Sequence, residues 1–82
     1  MKPIDEILYD LVYPLVEDTK SLSVQRLPSL DEKELILAIY AQSSDVARLI
    51  GRQGVMAHAI RQTMAIGSRV LDQRIVIKFE SY

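Results

Sequence analysis

From Pro3 to Glu17 the apolar residues Ile4, Ile7, Leu8, Leu11, Val12, Leu15 and Val16 recur at three- and four-residue spacing. That spacing predicts an amphipathic helix over residues 3–17. Pro3 fits its first turn, and Asp5 and Glu6 suit its positive end. Pro14 has no amide to donate and biases Tyr13 away from helical geometry, so the helix is expected to kink there, or to stop near Val12 and restart as a turn. Tyr9 and Tyr13 are expected at the helix edge, with the ring packed and the hydroxyl wet.

The period then changes from helical to alternating. Leu22–Leu27 alternates apolar and polar residues as a short strand, Pro28–Lys33 reads as a turn, and Glu34–Ala41 is a second strand. In that strand Leu35, Leu37 and Ile39 share one face, and Ile36, Ala38 and Tyr40 the other. The pair predicts a β-hairpin with Asp31, Glu32 and Glu34 at its tip. These carboxylates lack any further metal-ligand spacing and read as a solvated turn.

Ser43, Ser44 and Asp45 supply an N-cap and an acidic first turn for a two-turn helix over Val46–Ile50, which Gly51 ends. A longer helix is predicted over Val55–Val70. Its apolar residues Met56, Ala57, Ala59, Ile60, Thr63, Met64, Ile66, Gly67, Val70 and Leu71 cover about half the circumference, whereas a stripe of about 100° would seat it on one core. The surplus width points to a second contact surface, with Met56, Ala59, Thr63 and Ile66 along one edge. Asp72 and Gln73 turn the chain into a last strand, Arg74–Glu80. The order α-β-β-α-α-β predicts an α+β fold of two layers, a three-stranded sheet with helices packed on one face.

Composition narrows the class. Eighty-two residues make one small domain, 49% hydrophobic and 26% charged, without cysteine. There is no disulfide framework and no thiolate metal site, which suits a reducing cytosol. No apolar run approaches the roughly 18 residues of a membrane helix, and Asp5 and Glu6 stand where a signal peptide would be basic and then apolar, so the protein reads as soluble and cytoplasmic, with no membrane partner. The net charge of −1 conceals an asymmetry: residues 1–45 carry four basic and nine acidic side chains, and residues 46–82 carry six basic and two acidic. A basic half on a neutral chain fits a nucleic-acid face on part of one domain.

That half contains Ile50-Gly51-Arg52-Gln53-Gly54, with two of the three glycines in the chain. The pair predicts a tight turn with outward amides, followed by a helix whose N-terminus favours anions. Arg52 adds a fork for phosphate oxygens, and Gln53 adds neutral hydrogen bonding. Neither the lone histidine, His58, nor the loop suggests an enzyme. His58 has no cysteine or carboxylate partner in sequence, and the loop lacks the Gly-Lys-Ser/Thr of a nucleotide-hydrolysing P-loop.

The run Asp45-Val46-Ala47-Arg48-Leu49-Ile50-Gly51-Arg52-Gln53-Gly54, followed by Ala57 and Ile60, resembles the signature of the KH domain. The element order resembles the bacterial type II arrangement, and the likeness over essentially the whole chain is to the small stand-alone bacterial KH proteins of the KhpA (YlqC) type. The resemblance implies a single KH domain over 1–82 that binds single-stranded RNA, needs no cofactor or metal, and clamps the RNA backbone with low sequence specificity. Carried over by position, Gly51, Arg52, Gln53 and Gly54 are the loop. Val46, Leu49 and Ile50 help to form the apolar groove for the bases, with Arg48 among the RNA contacts. Two positions depart from the family pattern: Val55 stands where a basic residue is common, which weakens a phosphate contact, and Ala57 where a large aliphatic is frequent, which enlarges space on the last helix. The resemblance further implies pairing, as homodimers or with a larger protein of the KhpB (Jag, EloR) type, and an RNA-chaperone or post-transcriptional role linked to cell elongation and division. Met56, Ala59, Ile60, Thr63 and Ile66 are the expected dimer contacts. The competing reading is an adaptor that dimerises through its KH surface, with RNA binding secondary.

Overall fold

A computed structural model describes residues 2–82; Met1, the first residue of the expected domain, lies outside the described residues. The first helix, α1 (Ile4–Val12), buries Ile4, Leu8 and Val12, a three- and four-residue stripe, and is shorter than the predicted 3–17. Its end is set by Pro14, whose missing amide interrupts the helical ladder. Tyr13 nevertheless keeps helical angles (φ −49°, ψ −50°), contrary to the expected bias, because the chain tightens into a 3₁₀ turn over Tyr13–Leu15. Only at Val16 (φ −107°, ψ 152°) does the backbone become extended. The Tyr9 and Tyr13 rings meet at a 43° tilt, 5.7 Å between centroids; Tyr13 is exposed and Tyr9 half-buried.

The sheet has the order β1 (Ser23–Leu27), β2 (Glu34–Ala41), β3 (Arg74–Ser81). β1 pairs antiparallel with β2, from Ser23 opposite Tyr40 to Leu27 opposite Ile36, as the predicted hairpin requires. β2 pairs parallel with β3, from Glu34 opposite Arg74 to Ala41 opposite Ser81, because the connection through α2 (Ser43–Ile50) and α3 (Val55–Leu71) returns the chain to the starting edge. Leu35, Leu37, Ile39 and Ala41 are buried beneath the helices together with Ile77. Ile36, Tyr40 and Val76, on the opposite face, are only half-buried, so the helices cover one face of the sheet. Alternation fails in β1 at Arg26, which shares the helix side with Val24 and reaches Asp5 of α1 at 3.7 Å.

The core joins Leu8 and Val12 of α1, Leu37 and Ile39 of β2, Leu49 of α2, and Ile60 and Met64 of α3. Of the wide apolar stripe on α3, only Ala57, Ile60 and Met64 are buried. The helix is seated by a narrow ridge, Gly67 is half-buried in close approach to Ile4 and Ile75, and the rest of the stripe faces outward.

The helix α2 starts at Ser43, earlier than the expected Val46, and its N-cap is Gln42, with no side-chain cap; Asp45 does lie in its first turn. The Asp45 side chain turns inward, 1% exposed, and accepts the amides of Glu17 and Asp18 at 2.9 and 3.0 Å. Those donors, Glu17 first, hold its carboxyl below the usual carboxylate range against the opposing effect of burial. A residue expected to start its own helix therefore ties the link after α1 to α2. At the hairpin turn, Asp31 accepts the Lys33 amide at 2.8 Å and Glu34 pairs with Arg74, so two of the three tip carboxylates organise the turn and the sheet end.

Candidate nucleic-acid interface

The Gly51–Gly54 turn joins the C-terminus of α2 to the N-terminus of α3. Gly51 has φ 77°, ψ 174°, a combination essentially reserved for glycine, and Gly54 is left-handed at φ 79°, ψ 11°. Between them Gln53 is also left-handed, at φ 57°. The Gly54 amide closes the turn onto the Gly51 carbonyl at 3.2 Å. Within the turn the Arg52 carbonyl accepts the Val55 amide, the C-cap of the short 3₁₀ turn Arg52–Gly54. The side chains of Arg52 and Gln53 are exposed, and α3, 17 residues long, presents its positive end directly behind them. An exposed guanidinium and a helix N-terminus border one shallow cavity, an arrangement that suits a phosphate diester.

A shallow cavity of about 330 Å³ opens here, lined by Arg48, Gly51, Arg52, Gln53, Val55 and Met56. The larger cavity, about 520 Å³, lies between α1 and α3 and has an apolar lining that includes Ile7, Leu11, Ile66 and Val70. A phosphate backbone is recognised by outward donors rather than by an enclosed apolar space, so the smaller, loop-centred cavity is the candidate interface.

The other predicted site residues divide. Leu49 is fully buried and belongs to the core, so it cannot line a groove for bases; α2 turns it onto the sheet. Val46 is half-buried against the same core, and Ile50, 38% exposed, is the apolar side chain of α2 nearest the loop that faces solvent. Arg48 is exposed and lines the loop cavity, but it is bonded to Glu17. Val55, in place of a basic residue, is 68% exposed and adds an apolar rim. Ala57 is buried at 3%, so its small size serves close packing and opens no surface.

Charge follows the same division. Lys2, Arg26, Lys33, Arg48 and Arg74 each have a carboxylate partner. Among the described residues, the cations without one are Lys20, Arg52, Arg61, Arg69 and Lys78, four of them in the basic half. Arg61 was not singled out by the sequence. Its guanidinium lies 5.4 Å from the Phe79 ring centroid and donates to the Ile77 carbonyl at 3.4 Å, fixing a positive charge at the free edge of β3. Its only signal in the sequence was membership of the basic half.

Among the described residues, no group of three or more His, Asp or Glu side chains is placed to hold a metal, and no helix is long and apolar enough to cross a membrane. His58 is exposed on α3.

No curated protein and no solved structure matches the chain. A family model described as KhpA/KhpB, KH domain, matches residues 5–79. KH domains bind nucleic acid by clamping about four backbone nucleotides on a Gly-x-x-Gly loop. With that loop at residues 51–54 and the α-β-β-α-α-β order around it, the chain belongs to the KhpA/KhpB family of nucleic-acid-binding KH domains.

Proposed function

We propose that the protein binds single-stranded RNA by its backbone at residues 51–54, with little sequence preference, as a cytoplasmic RNA chaperone or post-transcriptional regulator. The observation that carries this reading is the exposed Arg52 guanidinium and Gln53 amide, held by a turn with three positive-φ residues at the N-terminus of α3. Such donors read phosphate and not base edges, so specificity is low. Few phosphates fit one loop, so affinity is modest and falls with salt. The link to cell elongation and division rests on the resemblance to the KhpA type.

The test is fluorescence anisotropy of a labelled mixed-sequence single-stranded RNA with the wild type and with a double variant, Arg52→Asp and Gln53→Asp. The variant loses at least about ten-fold in affinity, the loss expected when phosphate-facing donors become carboxylates. Equal binding by a folded variant would sink the clamp.

A second reading, self-association through α3, is favoured by a specific pattern. Met56, Ala59, Thr63, Ile66 and Val70 alternate three- and four-residue steps along one edge, the seam of a coiled coil. Met56, Ile66 and Val70 are 36%, 70% and 64% exposed, and Thr63 bonds its hydroxyl to the Ala59 carbonyl within the helix. Ile60, expected among the dimer contacts, is 3% exposed and lies in the monomer core instead. The seam fits a second copy or the KH domain of a larger KhpB-type partner. In light scattering after gel filtration, the wild type is expected at dimer mass and Ile66→Asp at monomer mass. A wild type that stays monomeric at high concentration would remove the self-association reading.

A further inference from the structure

Arg48 has two neighbours of opposite meaning. It lines the loop cavity with Gly51, Arg52 and Gln53, and its Nη2 donates to Glu17 Oε1 at 2.6 Å. The two residues are 31 positions apart, and their meeting is arranged by the buried carboxylate of Asp45. That carboxylate accepts the Glu17 amide at 2.9 Å and the Asp18 amide at 3.0 Å, which pins the backbone of residue 17 to α2. Asp45 and Arg48 stand three positions apart, on neighbouring turns of one helix face. The Glu17 carboxylate is thereby held at the guanidinium that borders the loop.

The pair itself is open to water: the side chains of Arg48 and Glu17 are 52% and 72% exposed. An ion pair so exposed is weakly held, and a phosphate diester presents the same acceptor geometry to the guanidinium fork. Other ion pairs lie away from the loop: Lys2 with Asp10 on α1, Lys33 with Asp72 and Arg74 with Glu34 at the far end of the sheet.

We infer that Glu17 is a built-in competitor for RNA phosphate, occupying Arg48 in the free protein and yielding it when a polynucleotide backbone enters the loop. The inference rests on the RNA reading of residues 51–54. Its consequence is a threshold: a ligand gains Arg48 only by displacing a carboxylate, which favours a polyanion anchored on the loop over a single phosphate. Glu17 thus lowers affinity and also lowers the salt dependence, since Arg48 carries its own counter-charge in the free state.

The experiment measures anisotropy of the fluorescein-labelled mixed-sequence single-stranded RNA across a salt series, using wild type, Glu17→Gln, Arg48→Gln, the double variant of both, and the Arg52→Asp, Gln53→Asp loop variant. Glu17→Gln keeps the backbone amide that Asp45 holds. It is expected to tighten binding about two- to five-fold and to steepen the slope of log K against log salt by about 0.7, one additional phosphate contact on a single strand. In the Arg48→Gln background the same substitution changes affinity by less than about two-fold, because the competition has no object. No gain from Glu17→Gln, or an equal gain in both backgrounds, overturns the inference while leaving the loop reading intact if the loop variant still loses RNA. A wild type that fails to bind, or a loop variant that binds as well as wild type, overturns the RNA reading and the competitor role with it.

Discussion

Replacing Gly51 by alanine is expected to destabilise the protein by about 3 kcal/mol, combining backbone strain and overpacking. At φ 77°, ψ 174° an L-residue is strained whatever surrounds it, and here the surroundings are also closed. An added Cβ would stand 2.8 Å from the Met56 Cβ and 2.9 Å from the Met56 backbone nitrogen. Neither atom is the end of a flexible side chain. Both belong to the first turn of α3, so relief requires the start of that helix to move. Gly54 provides the internal comparison. It is left-handed, but an added Cβ meets nothing within 4 Å, so Gly54→Ala is expected to cost only about 1 kcal/mol. Urea unfolding of both variants, with unchanged m-values, measures the difference. Equal midpoints would mean that the Met56 contact is not what restricts Gly51.

The second large effect separates neighbours on α2. Leu49→Ala is expected to cost about 3 kcal/mol, the range for emptying a fully buried leucine site. Ile50→Ala, at a side chain 38% exposed, is expected to cost less than about 1 kcal/mol. RNA binding should show the reverse order. Measured at low temperature, where Leu49→Ala remains folded, its affinity changes little, whereas Ile50→Ala weakens binding at the rim of the loop. A Leu49 variant that is folded, stable and defective in RNA binding would restore this residue to the groove.

Most of the element order was legible because its signals are local. The period-two run over Glu34–Ala41 coincides with β2, and Arg74–Glu80 falls one residue short of β3. The loop was legible because two glycines in four residues require backbone reversals that few other residues permit, and all three positive-φ reversals that the turn uses lie at Gly51, Gln53 and Gly54. Pro14 left two alternatives, a kink or a stop near Val12 followed by a turn, and the second is the one the structure adopts. A proline removes a donor at one position, whereas the angles of Tyr13 depend on how the following 3₁₀ turn packs.

The sidedness of the helices was less legible. The stripe on α3 included Ile60 and Ile66 alike, yet one is 3% and the other 70% exposed. Composition gives both the same weight; the difference comes from where the ridge of Ala57, Ile60 and Met64 meets the sheet. The groove role that the resemblance implies for Leu49 fails for the same reason, since a helix of eight residues has an apolar face whose target its own sequence does not name.

By itself the sequence determined the repeating elements, the turn chemistry of residues 51–54 and the concentration of positive charge in the second half, because periodicity, backbone permissiveness and net charge are properties of neighbouring residues. The tertiary structure decided the parallel pairing of β2 with β3, the inward turn of Asp45 and the contact of Arg48 with Glu17. Each depends on segments distant in sequence being brought within hydrogen-bonding range, and that happens only when burial of one shared core orients the helices on the sheet.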